Sequence, residues 1–339
     1  MPQQPTIVNA SESERPTWNW VGGRFEGDPF RWISFTGRPG SPIEERIQRP
    51  KISRYRACWE AARAAKQEQA KLIVSHNPLT SAWMNVFCNT MGVKAPHLAF
   101  AFTFSELPTG LRLRFFKKAL RGIDRFVCFS SIERKRYADY FDIPEDKIDT
   151  LPWSVAEPDF DASAPPTEQA PYLCAIGGEG RDYATLVEAM RRLPDHRLTI
   201  VARPANVEGL DIPPNISVRT NIPLADVWDI AAHARLMVLP LLDTQVPCGH
   251  GTLIMAMQLK TPSIVTESAA MVDYVKDETT GLICPPGDPE AMARTIRRLW
   301  DDEALATRLV LNGRAFATEC SERRTVAYFT DYAAGLGLL

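Results

Sequence analysis

An α/β chain built from two doubly wound parallel-sheet units is what this sequence predicts. Three observations carry that expectation. Apolar strand-sized runs alternate with helix-period segments from one end to the other. A proline-rich stretch breaks the alternation near the middle. The 339 residues are enough for about two domains of roughly 100–200 residues each. In the first half, Thr6–Asn9, Leu72–Ser75, His97–Phe102 and Arg125–Phe129 read as buried strands. In the second half Tyr172–Ile176, Leu198–Val201, Ile216–Arg219, Leu236–Pro240 and Ser263–Thr266 read the same way. The helix-compatible segments between them are Arg54–Lys71, Ser81–Met91, Leu111–Asp124, Ile132–Phe141, Tyr183–Leu193, Leu224–Ala234 and Thr252–Leu259. Doubly wound units bind ligands in the crevice at the carboxyl ends of their strands, and two such units are expected to enclose a cleft.

The break falls at Trp153–Pro171, with Pro158, Pro165, Pro166 and Pro171 among small and acidic residues. The expected organisation is an N-terminal unit over 1–155, a linker over 156–170, a second unit over 171–320 and a last helix over 321–339 that crosses back to the first unit. No apolar run approaches the roughly 18–20 residues that span a bilayer, and the polar start Met1–Pro16 lacks a signal-peptide pattern. Seven scattered cysteines without a CxxC pair argue against a disulfide framework or zinc site, and for a reducing compartment. The expected location is therefore cytoplasmic. Residues 1–160 carry 23 Lys and Arg against 18 Asp and Glu, and residues 161–339 carry 16 against 23, so the first half is the one suited to an anionic surface. No nucleic-acid recognition motif accompanies that charge, and nucleic acid is not an expected partner.

The chemistry concentrates in Val246–Asp288, VPCGHGTLIMAMQLKTPSIVTESAAMVDYVKDETTGLICPPGD. Gly249, Gly251 and Thr252 open a helix, and a glycine-flanked helix start offers free N–H groups and the positive end of the dipole to a diphosphate. The side chains of Gln245, His250 and Thr252 and the N–H groups of Gly251 to Leu253 are the candidate contacts. A second motif, Ile176-Gly177-Gly178-Glu179-Gly180-Arg181-Asp182-Tyr183, follows a strand and opens a helix. Its glycines, Gly178 and Gly180 among them, do not match GxGxxG, so a dinucleotide fingerprint is the weaker reading. Arg181 is the candidate cation for a leaving diphosphate, because a guanidinium holds two phosphate oxygens at once.

The order Lys260-Thr261-Pro262-Ser263-Ile264, Gly281-Leu282-Ile283, Pro285-Pro286-Gly287-Asp288-Pro289-Glu290-Ala291-Met292-Ala293 resembles the donor domain of GT-B glycosyltransferases, in the group 1, retaining-type bacterial family. The resemblance covers residues 171–339 and is weaker before them. It implies two Rossmann-like domains, the first for the acceptor and the second for a nucleotide sugar, with no bound metal and no cofactor beyond that donor substrate. Arg181 then stands where the family has a lysine. The family's paired glutamates, however, fall on Pro247 and Met255, and its Gly-Gly becomes Ser268-Ala269-Ala270. The string DTQVPCGHGT is similar instead to a divergent group of bacterial exopolysaccharide transferases.

In the first half, His76 follows a strand and, by the same resemblance, faces the donor sugar; a turn histidine before Pro78 is the plainer alternative. Asn77 is a candidate for a sugar hydroxyl. Thr103, Ser105 and Glu106 follow the next strand, and Glu106 is a candidate general base, or else an N-terminal helix carboxylate. Val21-Gly22-Gly23-Arg24 resembles the family's first glycine loop. Asp159-Phe160-Asp161 lies in the linker and reads as solvated, not as a metal motif. Leu111–Phe126 reads as one amphipathic helix: Leu113, Phe116, Leu120 and Ile123 form its buried stripe, while Arg114, Lys117, Lys118, Arg121 and Arg125 crowd the other faces. Such a helix suits an anionic membrane surface or simply a solvated face. The expected reaction moves a hexose from a nucleoside diphosphate sugar to a glycan or lipid-diphosphate-linked acceptor. A nucleotide-sugar epimerase and a catalytically silent binding module are the alternatives.

Overall fold

The computed structural model describes residues 4–12, 29–47, 51–160, 165–166, 171–242 and 248–339. The chain divides into two compact units, Met1–Leu151 with Arg323–Leu339, and Pro152–Glu322.

The first unit runs β1 (Thr6–Ser11), β2 (Arg31–Thr36), α1 (Pro42–Arg46), α2 (Ile52–Gln67), β3 (Leu72–His76), α3 (Pro78–Met91), β4 (His97–Phe100), α4 (Gly110–Ala119), β5 (Arg125–Cys128), α5 (Ser131–Phe141) and β6 (Ile148–Thr150). Its six strands are all parallel, in the order β2-β1-β3-β4-β5-β6. Every residue of β1, β3 and β4 is buried, as in a sheet covered on both faces. The chain turns outward from β1 to β2 and then crosses to β3, so the switch point lies between β1 and β3.

The second unit contains β7 (Leu173–Ile176), α6 (Tyr183–Arg191), β8 (Leu198–Ala202), α7 (Pro204–Val207), β9 (Ile216–Thr220), α8 (Leu224–His233), β10 (Leu236–Leu239), α9 (His250–Gln258), β11 (Ser263–Thr266), β12 (Leu282–Cys284), α10 (Pro289–Asp301) and α11 (Glu303–Glu319). Its parallel order is β12-β11-β10-β7-β8-β9, with the switch point between β7 and β10. Asp288 caps α10 by accepting the Ala291 N–H at 2.8 Å, and Pro289 supplies a first helical residue whose missing N–H costs nothing. The Pro-Gly-Asp-Pro string is thus a helix start. Met292, Ala293, Ile296 and Leu299 then bury one face of α10 in the core beneath β7, β8 and β10.

The last helix, α12 (Glu322–Gly335), supplies Phe329, whose ring lies 5.9 Å from Phe30 and 5.3 Å from Trp32. Its Tyr328 hydroxyl donates to Asp149 at 2.6 Å. These contacts are internal to the first unit.

Two sequence expectations change. The segment Leu111–Phe126 is not one helix. It stops at Ala119, turns through Gly122 at φ +91°, and enters β5 at Arg125. Leu120 and Ile123 are buried in that turn, and Arg125 pairs with Asp149 at 3.5 Å instead of joining the basic face. The start of the proline-rich break, Trp153–Val155, is also not free chain. The Trp153 N–H donates to the Tyr274 hydroxyl at 2.8 Å and the Val155 N–H to the Cys320 carbonyl at 3.0 Å, holding this stretch on the second unit.

Candidate active site

At the switch point of the second unit the loops after β7 and β10 are zipped together. The Asp182 N–H donates to the Pro240 carbonyl and the Leu242 N–H to the Gly180 carbonyl, both at 3.0 Å, and Arg181 bridges Leu241. This clasp fixes the backbone of Arg181. Its side chain turns inward and is only 9% exposed. Nε donates to the Ile176 carbonyl at 3.2 Å, Nη1 to the Glu179 carbonyl at 2.7 Å, and Nη2 to the Thr252 hydroxyl at 3.1 Å. Burial draws its pKa below the ordinary arginine value, though a guanidinium stays charged. Among the described residues no carboxylate lies within ion-pair distance of it. A buried charge normally has a counter-charge, and here carbonyls and a hydroxyl stand in its place.

Gly177 is required by Arg181, and its neighbouring glycines by other side chains. A Cβ on Gly177, at φ +122°, would land on Nη2 and 2.9 Å from Cζ; one on Gly180, at φ +63°, would sit 2.8 Å from Cys248 Sγ. Gly178 carries Asn206, whose side-chain N–H donates to its carbonyl at 2.8 Å. Gly249, at φ +90°, is the residue before α9.

Helix α9 starts two residues before Thr252, at His250, with Gly249 as its N-cap, and the first N–H groups of a helix are the ones left over for a ligand. The Leu253 N–H is not one of these: it donates to the Gly249 carbonyl at 3.0 Å, so it is occupied within the helix. The His250 ring is buried and packs 4.1 Å from the Tyr274 ring centroid. Met255, where the family has its second glutamate, is buried in the core with Tyr172 and Ile176. Gln245, Pro247, the Val21–Arg24 glycine loop and Asp161 lie outside the described residues.

At the switch point of the first unit, His76 ends β3 and is buried. Its Nε2 lies 2.9 Å from Asn9 Oδ1 on the neighbouring strand β1, which makes Nε2 the protonated nitrogen; Nδ1 is buried without a partner. Burial pushes its pKa down to about 4, so the ring is neutral at neutral pH. Asn77, at φ +66°, caps α3 by accepting the Thr80 N–H at 3.0 Å. Ser105 and Glu106 are exposed in the bend after β4. Glu106 precedes α4 by four residues, too far to act as a first-turn carboxylate. Among the described residues no helix is long and apolar enough to cross a membrane, and no group of three His, Cys, Asp or Glu is placed to hold a metal.

Two groups beside these sites were not apparent from the sequence. Asn9, inside an apolar strand, is the partner of His76; a lone amide in a buried strand was its signal. Arg203, at the end of β8, lies against the Gly178 backbone; its signal was a basic residue between a strand and Pro204.

Two parallel six-stranded sheets with ligand-type switch points define the class: this is the GT-B fold of glycosyltransferases. Residues 172–302, which lie within the second unit, match the family model described as glycosyl transferases group 1. Among solved structures, the chain is similar to a glycosyltransferase from Rickettsia africae ESF-5, with 14% identity and a TM-score of 0.74, over 98% of this chain and 99% of that one. It is similar to HepE from Anabaena in complex with UDP, with 11% identity and a TM-score of 0.71, over 98% and 100%. Sucrose-phosphate synthase from Thermosynechococcus elongatus gives 19% identity and a TM-score of 0.67, over 97% and 98%. No curated protein matches the sequence.

Proposed function

We propose that the chain is a glycosyltransferase that moves a hexose from a nucleoside diphosphate sugar to a glycan or lipid-linked acceptor, without a bound metal. The observation that carries this is Arg181: a buried guanidinium without a carboxylate partner among the described residues, at the switch point and beside the start of α9. When the bond from the anomeric carbon to the diphosphate breaks, negative charge grows on the phosphate oxygens. A fixed cation and oriented N–H groups then stabilise it without reorganising. His76 is the candidate for a donor-sugar hydroxyl, a role that requires its buried Nδ1 to be uncovered, and Glu106 is the candidate base for an acceptor hydroxyl. HepE is known in complex with UDP-glucose, which makes UDP-sugars the first donors to test. The basic residues of α4 and its following turn, Arg114, Lys117, Lys118 and Arg121, suit peripheral attachment to an anionic cytoplasmic membrane face.

The test is Arg181→Ala. Donor hydrolysis and transfer should fall by about 10²–10³-fold, with nucleotide affinity also reduced and the fold retained by circular dichroism. Wild-type turnover in the folded variant would end the assignment. The buried Met255, closed into the core where a ribose-binding carboxylate is expected, favours a second reading, a module that binds nucleotide or glycan without catalysis. Nucleotide binding without slow hydrolysis of any donor would support that one.

A further inference from the structure

The loop that positions Arg181 has a second guanidinium on its outer side. Arg203 leaves the end of β8 and lies along Gly178. A Cβ on that glycine would sit 3.1 Å from Arg203 Nε and 3.2 Å from its Cδ. Asn206 locks the two segments together: its Nδ2 donates to the Gly178 carbonyl at 2.8 Å, and its Oδ1 accepts the Arg203 N–H at 3.3 Å. The tip of Arg203 reaches back to the same loop, where Nη1 donates to the Glu179 carboxylate at 2.6 Å. Glu179 also gives its backbone carbonyl to Arg181. One short loop, Gly178–Gly180, therefore lies between a buried cation and an exposed one.

The two cations differ in how they are held. Arg181 is fixed by three acceptors inside the unit. Arg203 and Glu179 keep 65% and 75% of their side-chain surface in solvent. An exposed pair of this kind contributes about 0–1 kcal/mol. A guanidinium bound to phosphate by two parallel hydrogen bonds is markedly stronger. A diphosphate carries more negative charge than Arg181 alone neutralises, and it would outcompete a single solvated carboxylate for Arg203.

We propose that Arg203 is the second phosphate-binding residue of the donor site and that Glu179 is its resident counter-ion, displaced when a diphosphate binds. This rests on the reading of Arg181 and the start of α9 as the donor site. Gly178 has no side chain so that Arg203 can lie over the loop, and Asn206 holds the strand end from which Arg203 reaches. Glu179 acts as a selectivity device. A ligand with one phosphate recovers less than it must displace, whereas a diphosphate recovers more, so the site discriminates by charge before it discriminates by sugar.

Calorimetric titration of the full chain with UDP, GDP and TDP, with UMP, and with inorganic pyrophosphate tests this. Arg203→Ala should weaken the best nucleoside diphosphate about tenfold and shrink its advantage over the monophosphate. Arg203→Lys should recover part of the affinity but not the full discrimination. Glu179→Gln should tighten diphosphate binding about threefold and steepen its salt dependence, because the net positive charge of the site rises. Pyrophosphate alone should follow the same order of variants, which separates a phosphate effect from a base or sugar effect. If Arg181→Ala weakens binding but Arg203→Ala and Glu179→Gln match wild type, Arg203 has no such role and the donor site stands. If Arg181→Ala also matches wild type, or wild type binds none of the probes, the donor-site reading fails and this inference with it. Arg203 and Glu179 are exposed, and unchanged thermal midpoints of the free variants, Arg181→Ala included, check that the fold is retained.

Discussion

Gly177→Ala tests the architecture of the site without touching a charged residue. The new methyl group would fall on Arg181 Nη2 and 2.9 Å from Cζ and Nε, at a backbone φ of +122°. The backbone cannot relax outward easily, because the residues after it are clasped to Pro240 and Leu242. The side chain of Arg181 must leave. Three charge-assisted hydrogen bonds are lost with it, nominally about 1.5–3 kcal/mol each, but the expelled guanidinium regains water and escapes burial. The net stability cost is then set mainly by the unfavourable φ, about 1–3 kcal/mol. The functional cost should equal that of Arg181→Ala, because the cation is displaced in both. In the double variant the methyl meets no guanidinium, so the two changes must be non-additive. Diphosphate affinity should be no lower than in Arg181→Ala alone, and stability should be higher than the sum of the single effects. Urea midpoints and calorimetric titration with UDP read both arms. A Gly177→Ala protein that binds like wild type, or a double variant whose effects simply add, would refute the packing argument.

Three further expectations concern the rest of the molecule. His76 and His97 are buried with pKa values pushed down to about 4 and about 3, against about 6.5 unfolded. Their stabilisation of the folded state is present above pH 6.5 and is lost as pH falls, by about 2 kcal/mol each at pH 5. Urea midpoints at pH 8 and 5 should show this, and His76→Gln should lose about 2 kcal/mol less; comparing it with wild type cancels Glu133, whose raised pKa acts in the opposite sense. Lys260 ends α9 at φ +64°, with the Thr261 N–H donating to the Ala256 carbonyl at 2.9 Å, a left-handed helix stop that Gly92 provides after α3. Lys260→Gly should stabilise the second unit by about 1 kcal/mol, raising its Tm by about 2–4 °C, and an unchanged or lower Tm in calorimetry counts against the strain. Reversing Lys117, Lys118 and Arg121 to Glu should weaken attachment to anionic vesicles by more than a hundredfold, at about 1 kcal/mol per charge removed; wild-type protein that ignores such vesicles at low salt removes the membrane proposal.

Most strands legible in the sequence were those buried on both sides; the exposed edge strand β9 was read from Ile216 and Val218. β1, β3, β7 and β11 are continuous apolar or small-residue runs, and a strand inside a parallel sheet has that composition. β2, an edge strand with no buried residue, and the three-residue strands β6 and β12 lack it and went unrecognised. Leu111–Phe126 misled because a helix followed by a buried turn keeps the apolar spacing after the helix has ended. At the site, glycine spacing marked the loop around Arg181. Its burial and its bond to Thr252 were not legible, because they depend on a residue 71 positions away and on the clasp between two loops.

The return of α12 to the first unit has a consequence for how the chain is made. Phe30, Trp32 and Asp149 wait for partners that are synthesised only after the whole of residues 152–322. The usual order, in which the N-terminal domain is finished first, is therefore reversed. The second unit is contiguous and can close while the first still shows an open aromatic seam. During translation that seam is exposed apolar surface, and a truncation before Arg323 would leave it exposed permanently, producing a protein with an intact second unit and an adhesive first one.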